Sequence, residues 1–485
     1  MTNLTAWVNQ NTPNFISSTL LATTPAPTAE AEPVSSSLVL AAVLLTLIVI
    51  YSASKIGAEV CTRINLPTVL GELVGGVVIG ISALHLLVFP EGGMMASDSL
   101  IMKFLELTAN LSPQQTEAVF RSQSEVISVL AELGVVILLF EVGLESDIKE
   151  LLKVGPQAVT VAVVGVAAPF AGGTLGLFYL FGVPLIPAIF AGAALTATSI
   201  GITSKVLTEM GKLNTTEGNI ILGAAVLDDV LGIIILAVVA GLAKTGEIEI
   251  GNVIYLIISA AVFLIGAIIV GRLLNPYFVK LINKMQTRGE LLLTSLVFAF
   301  VLSYIGGVIR LEAILGSFAA GLVLAETEKQ EDLQKQLFPI ADMLVPIFFV
   351  AVGAKTNLGV LNPTNPTNQE ALVLAGFLIF VAIVGKLITG ATVFGKPGIN
   401  RLAVGIGMIP RGEVGLVFVS VGAASGSLNK ATEAAIIMMV IVTTFLAPPL
   451  LRLVFQSDTT KDLSEDLSKE ISGALSPETP GPETK

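Results

Sequence analysis

Leu66-Pro-Thr-Val-Leu-Gly-Glu-Leu-Val-Gly-Gly-Val-Val-Ile79 returns further along the chain as Leu311-Glu-Ala-Ile-Leu-Gly-Ser-Phe-Ala-Ala-Gly-Leu-Val-Leu324, with Leu, Leu-Gly, Gly and Val at the same spacings. A second pair follows in the same order, Ala131-Glu-Leu-Gly-Val-Val-Ile-Leu-Leu-Phe-Glu-Val-Gly143 and Ala341-Asp-Met-Leu-Val-Pro-Ile-Phe-Phe-Val-Ala-Val-Gly353. Self-similarity of this kind marks a duplicated architecture. The first copy carries an insertion, residues 89–124, that the second lacks. Chance is the competing explanation, because small residues recur wherever apolar helices pack closely. Two matches in one order weigh against it.

The surroundings of these segments place them in lipid. Of 485 residues, 53% are hydrophobic and 13% charged, about half the charged share of an ordinary soluble domain. Apolar stretches of roughly 20 residues predict an all-α polytopic membrane protein of about thirteen transmembrane helices. The spans read as 37–54, 66–88, 126–146, 157–181, 187–208, 217–243, 252–275, 289–308, 311–325, 340–357, 370–392, 401–425 and 432–455. Each repeat match lies an odd number of spans from its copy, which reverses its direction through the membrane, so the duplication is an inverted-topology repeat. The chain divides into a disordered N-terminal extension (1–36), a first transmembrane repeat (37–243), a linker helix region (244–288), a second repeat (289–455) and a disordered tail (456–485). Lys149, Lys153, Lys205, Lys212, Lys280, Lys284 and Arg288 fall in loops on one side, with few counterparts on the other. The positive-inside rule then puts the N-terminus outside or in a lumen and the tail in the cytoplasm. The first lysine is Lys55, so the basic start of a cleaved signal is absent.

Inverted repeats build secondary transporters, whose substrate site sits near the midplane where two interrupted helices meet. Two spans carry such interruptions: Thr196-Ala-Thr-Ser199 followed by Gly201, and Pro410-Arg-Gly-Glu413 followed by Gly415. Broken backbone at that depth is tolerated only against protein or a wet cavity.

Charges inside spans need a reason, since each costs on the order of 3 kcal/mol at mid-membrane. Asp228 and Asp229 lie at the centre of Ile220-Ile-Leu-Gly-Ala-Ala-Val-Leu-Asp-Asp-Val-Leu-Gly-Ile-Ile-Ile-Leu236. Neighbours on a helix point about 100° apart, so the two carboxylates have different partners. A pair of acids neutralised by hydrogen bonds is the plainer alternative. Lys386 stands deep in a span as counter-ion for one of them, against the alternative that it snorkels to an interface. Arg411 pairs with Glu413, or with Glu72 or Glu141; these four are read as structural or gating charges, because arginine does not release its proton. The single Cys61 and single His85 leave no disulfide framework or Cys/His zinc site.

Together, Leu66 to Gly76, Leu138-Leu-Phe-Glu-Val-Gly-Leu-Glu145, Leu195-Thr-Ala-Thr-Ser-Ile-Gly-Ile-Thr203, Val226-Leu-Asp-Asp-Val-Leu-Gly232 and Ile409-Pro-Arg-Gly-Glu-Val-Gly415 resemble the bacterial cation:proton antiporter-2 family, and most closely its cyanobacterial sodium/proton antiporters. The resemblance implies the sodium/proton antiporter fold, with two crossed broken helices in a mobile core, a scaffold that forms homodimers, and elevator-like alternating access. It implies that Asp229 is the principal carboxylate for Na+ and H+, that Asp228 pairs with Lys386, and that Thr198, Ser199 and less surely Thr196 supply oxygens. The Asp-Asp form implies electrogenic exchange. Expected substrates are Na+, or K+ on the same scaffold, and protons, with no cofactor, no enzymatic activity and no nucleic-acid partner. A bacterial inner membrane or a thylakoid membrane is the implied location. The tail lacks the nucleotide-binding pattern of potassium-efflux relatives, which demotes gated potassium efflux. A channel is disfavoured by the lack of a repeated carbonyl filter, and a protease-like dyad by the adjacency of the two aspartates.

Overall fold

The computed structural model describes residues 35–474 apart from 91–92, 246–249, 310, 362–368 and 395–397; the side chains of 243–245, 252, 264, 268, 272, 274, 361, 413, 424 and 457–474 also lie outside the description. Every regular element among the described residues is a helix. Helix α1 (Ser36–Arg63) leads to the short α2 (Thr68–Ile79), then α3 (Leu100–Ala109), α4 (Pro113–Glu145), α5 (Ile148–Lys153) and α6 (Gly155–Phe181). Next come α7 (Leu185–Ala194), α8 (Ile200–Glu209), α9 (Thr216–Thr245) and α10 (Ile250–Lys284). The second half holds α11 (Glu290–Val308), α12 (Ala313–Ala325), α13 (Gln330–Lys355), α14 (Gln369–Ala391), α15 (Arg401–Gly407), α16 (Glu413–Ala424) and α17 (Lys430–Ala474). Nine described helices are long and apolar enough to cross a membrane, and four shorter apolar ones, in α2, α7, α12 and α16, account for the other expected passages.

Three boundaries differ from the sequence reading. The span expected over 66–88 ends at Ile79, because Gly80 lies against the backbone of Ala354 and the chain turns back through His85 at φ 53°. The amides of Leu86 and Leu87 then return to the Ile79 carbonyl. The inserted stretch is not a plain connection. Ser112 and Gln115 form a reciprocal capping box that starts α4 at Pro113, and Ser99 caps α3, whose Ile101, Met102 and Leu105 are buried with Val119 and Phe120. The last helix runs beyond 455 to Ala474; there the sequence spaces Glu465 four residues before Lys469, an order that favours helix.

The duplication is visible in the packing. α2 lies on α13, and α12 lies on α4. Gly76 of α2 meets Gly353 of α13 so closely that a Cβ on Gly76 would stand 2.9 Å from the Gly353 Cα. At the matching repeat positions, a Cβ on Gly321 of α12 would stand 2.8 Å from the Gly143 Cα of α4. The two glycine contacts are thus copies of one another, each joining the first matched segment of one repeat to the second matched segment of the other. Only glycine permits backbones this close. With α1 and α11, these helices form one packed group. The other group comprises α6, α7, α9, α14, α16 and α17, bound by Phe190, Leu378, Phe418 and Met439 in a separate apolar cluster. α8 passes between them, touching α4 and α2 on one side and α9 on the other.

Candidate functional site: a helix crossing with buried charges

α7 closes with tight turns in which the Leu195 and Thr196 amides bond to the Gly192 and Ala193 carbonyls at 3.1 and 3.0 Å. α15 closes similarly, through Met408 and Ile409. Pro410 has no N–H with which to continue the helix. The two extended breaks then meet: the Ser199 amide donates to the Pro410 carbonyl at 2.9 Å, and the Thr203 hydroxyl donates to the Gly407 carbonyl at 2.9 Å. A Cβ on Gly412 would lie 2.9 Å from the Ser199 hydroxyl, so this position passes close to the opposite break. The broken helices cross.

Four helix ends converge there, and their partial charges are sorted. The C-terminal ends of α7 and α15 are negative, and Arg411 serves both. Its guanidinium donates to the carbonyls of Leu195 at 2.7 Å and of Met408 and Ile409 at 3.0 Å each. Arg411 is fully buried, and its own carbonyl accepts from the Thr444 hydroxyl at 2.5 Å. This corrects the expected pairing with Glu72 or Glu141. The guanidinium fork matches the cluster of freed carbonyls at the helix ends, while the two glutamates sit elsewhere, on α2 and α4 within electrostatic reach of Lys205. The Glu413 side chain, the other expected partner, lies outside the described residues.

The N-terminal, positive ends of α8 and α16 border a small cavity. Its wall is formed by Thr198, Ser199, Ile200 and Gly201 from the first break, Gly412 and Val414 from the second, Asp229 from α9, and Val135 and Ile314 from α4 and α12. A carboxylate is well placed against two helix N-termini. Asp228, one position earlier, is not among the residues of this wall. Its Oδ2 lies 2.6 Å from the Lys386 Nζ of α14 and accepts from the Thr198 hydroxyl at 2.8 Å. Asp228 and Lys386 are both wholly buried.

Of the residues singled out in the sequence, Asp228, Asp229, Lys386, Thr198, Ser199 and Arg411 are therefore brought to one crossing. Thr196 is near but turned away: its hydroxyl donates to the Ala193 carbonyl at 2.7 Å and it takes no part in the cavity wall. Thr203 and Thr444 also join the crossing, although the sequence does not single them out. The pair Thr443-Thr444 inside an apolar span was the available signal for the second, since hydroxyls there seek backbone carbonyls. Chemically, the cavity offers a carboxylate and hydroxyl-bearing residues, oxygen donors suited to a hard cation or to a proton.

Known proteins resemble the chain over most of its length. The transmembrane sodium/hydrogen exchanger family matches residues 32–456. The high-affinity Na+/H+ antiporter NhaS3 of Synechocystis is 65% identical over 436 residues, covering 90% of this chain and 95% of that protein. The Na+/H+-K+ antiporter GerN of Bacillus cereus is 30% identical, over 83% of this chain and 94% of its own. Among solved structures, the sodium proton antiporter MjNhaP1 of Methanocaldococcus jannaschii at pH 8 superposes with a TM-score of 0.57 at 16% identity, covering 85% of this chain and 96% of that one. The inverted repeat, the crossed breaks and the family match over nearly the whole transmembrane region lead to one conclusion: the chain belongs to the sodium/hydrogen exchanger family.

Proposed function

We propose that the chain exchanges sodium ions for protons across a membrane, with Asp229 as the carboxylate that carries each in turn. The observation that bears most weight is the placement of Asp229 in the cavity wall beside Thr198 and Ser199, while its neighbour Asp228 is engaged by Lys386. A bound proton or Na+ cancels the Asp229 charge. The loaded group then crosses the low-dielectric barrier, whereas the empty, charged one is held back by desolvation, and this coupling prevents leak. Lys386 exchanges its interaction with Asp228 as Asp229 loads and unloads; when the ammonium also yields its proton on Na+ binding and regains one on Na+ release, two protons cross for each Na+ and turnover is electrogenic. Movement of the crossing group against the α2/α4/α12/α13 group, in the manner of an elevator, supplies alternating access.

The exchanger acts as a carrier without cofactor, as a homodimer, in a bacterial inner or thylakoid membrane with its tail in the cytoplasm. Potassium is a second cation to test, because GerN, 30% identical, is named for both ions. Purified protein in liposomes with an internal pH dye is expected to move protons when NaCl is added outside. Asp229→Asn is expected to abolish that response while the protein remains monodisperse; full exchange by the variant would end the assignment. Parallel additions of KCl decide the cation.

A further inference from the structure

Two buried carboxylates lie outside the crossing. Glu72 on α2 is 9% exposed and Glu141 on α4 is 6% exposed. One Glu72 oxygen, Oε1, accepts from the Ser54 hydroxyl at 3.1 Å, but Oε2 has no hydrogen-bond partner among the described residues, nor has Oε2 of Glu141. An acid buried this deeply and left half unsatisfied is costly unless something shares its charge. Lys205, half-buried on α8, is set near both: about one turn on, Thr208 bonds to Glu145, a turn beyond Glu141, and Glu209 to Thr68, a turn before Glu72.

Their position along the helices gives this triad a role. Gly201 lines the Asp229 cavity, and Lys205 follows it by four residues, about 6 Å along the same face of α8. That face looks toward Leu138 of α4 and Phe348 of α13, which lie 3.5 and 3.6 Å from where a Cβ on Gly201 would stand. On α4, Val135 lines the cavity, Leu138 follows, and Glu141 lies about 9 Å beyond Val135. A seam therefore runs from Asp229, past Leu138 and Phe348, to Lys205, Glu141 and Glu72. It ends on the side bearing Lys149 and Lys212.

The other charges facing the triad are Lys55 and Glu209 around Glu72, and Glu145 and Asp342 around Glu141. Glu145 is occupied by Thr208 and Gln334, and Glu209 by the amide of Thr68 at 2.8 Å. Within the buried part, two carboxylates then share one ammonium. Neutrality calls for one more positive charge, which a sodium ion or a proton supplies.

We propose that Glu72, Glu141 and Lys205 form a second station for a monovalent cation or proton, at the end of the seam that leads from Asp229 to the lysine-rich face. It rests on the reading of Asp229 as the ion carboxylate. Lys205 supplies a fixed positive charge beside the carboxylates that opposes an incoming cation. The two glutamates belong to one packed group and Lys205 to α8 of the crossing, so the station lies where the groups meet.

The test is the sodium dependence of exchange in proteoliposomes for Glu72→Gln/Glu141→Gln and for Lys205→Gln, read across the pH range of the parent. Neutralising the two acids is expected to raise the sodium KM about tenfold, and removing Lys205 to lower it about threefold, with kcat within about twofold. Opposite shifts distinguish a station from packing defects, which reduce folded protein or kcat in both variants. Parental KM and pH profile in both overturn the proposal. Should the double glutamine variant not fold, Lys205→Gln decides alone, and an unchanged or raised KM overturns it. Absence of sodium-driven proton movement in the parent overturns both this station and the reading of Asp229; parental exchange with unmoved KM overturns the station only.

Discussion

Lys386 and Asp228 hold each other in place, because neither charge is tolerable alone where both are wholly buried. Removing one partner of such a pair typically costs about 3–5 kcal/mol, whereas replacing both by apolar groups is often neutral. Lys386→Ala is therefore expected to lower the unfolding temperature in detergent by several degrees, and Lys386→Met with Asp228→Leu to recover most of it. A thermal melt of the three proteins checks this, and a single variant as stable as the parent would show that the pair does not hold the helices together. The same pair illustrates what the sequence makes readable. Asp228, Asp229 and Lys386 stand out as charges within apolar runs, and a carboxylate and an ammonium in hydrocarbon must find partners. Arg411 was equally visible, but its partners were not. They are backbone carbonyls of Leu195, Met408 and Ile409, exposed only because two helices break, and no side-chain pattern announces them. The orientation of Thr196 is hidden for a related reason: a threonine at the end of a helix can turn its hydroxyl back to the preceding turn, as this one does to the Ala193 carbonyl.

At the scale of elements, the repeat was legible from Leu-Gly and Gly spacings because close helix packing depends on residues without side chains. What the spacings do not reveal is which glycine touches which, and the answer, Gly76 to Gly353 and Gly321 to Gly143, is a relation between the copies. The inserted α3 is not legible from hydropathy because a helix of 10 residues falls below the length of a membrane passage. Its caps, Ser99 and the left-handed Asn110, were the readable signs. Gly321→Val would press a branched side chain against the backbone of α4, and overpacking of this sort costs about 1–3 kcal/mol or more. The expected outcome is a lower yield of monodisperse protein and an earlier melt, with the matching Gly76→Val behaving alike. Arg411→Lys tests the broken helices separately. A single ammonium cannot reproduce the fork that spans the ends of α7 and α15, so exchange activity is expected to fall at least tenfold although the charge is kept. Parental turnover by Arg411→Lys, measured with the pH dye, would mean that point charge rather than bidentate geometry organises the crossing.

For the whole molecule, the two packed groups meet along α8, and its far end is fastened to the repeat helices. Glu209 accepts from the Thr68 amide and hydroxyl at the start of α2, and Glu145 accepts from Thr208 at 3.2 Å and from Gln334 at 2.7 Å. These contacts are polar and lie at least partly exposed, so they can exchange for water at little net cost, unlike the glycine contacts within a group. The proposed exchange requires that the crossing shift against the repeat helices, which means that the Thr68–Glu209 contact must part in each cycle. Cysteines at both positions, in a Cys61→Ser background, place two thiols where the carboxylate now reaches the start of α2. A short cleavable bis-thiol reagent is expected to join them, to stop sodium-driven proton movement in proteoliposomes, and to release it when reductant is added. Either single-cysteine variant treated in the same way should retain exchange. If the doubly substituted protein, shown by peptide mass to be cross-linked, still turns over at its untreated rate, α8 and α2 stay together throughout the cycle. The moving parts would then have to be sought within the crossing itself, between α7/α8 and α15/α16.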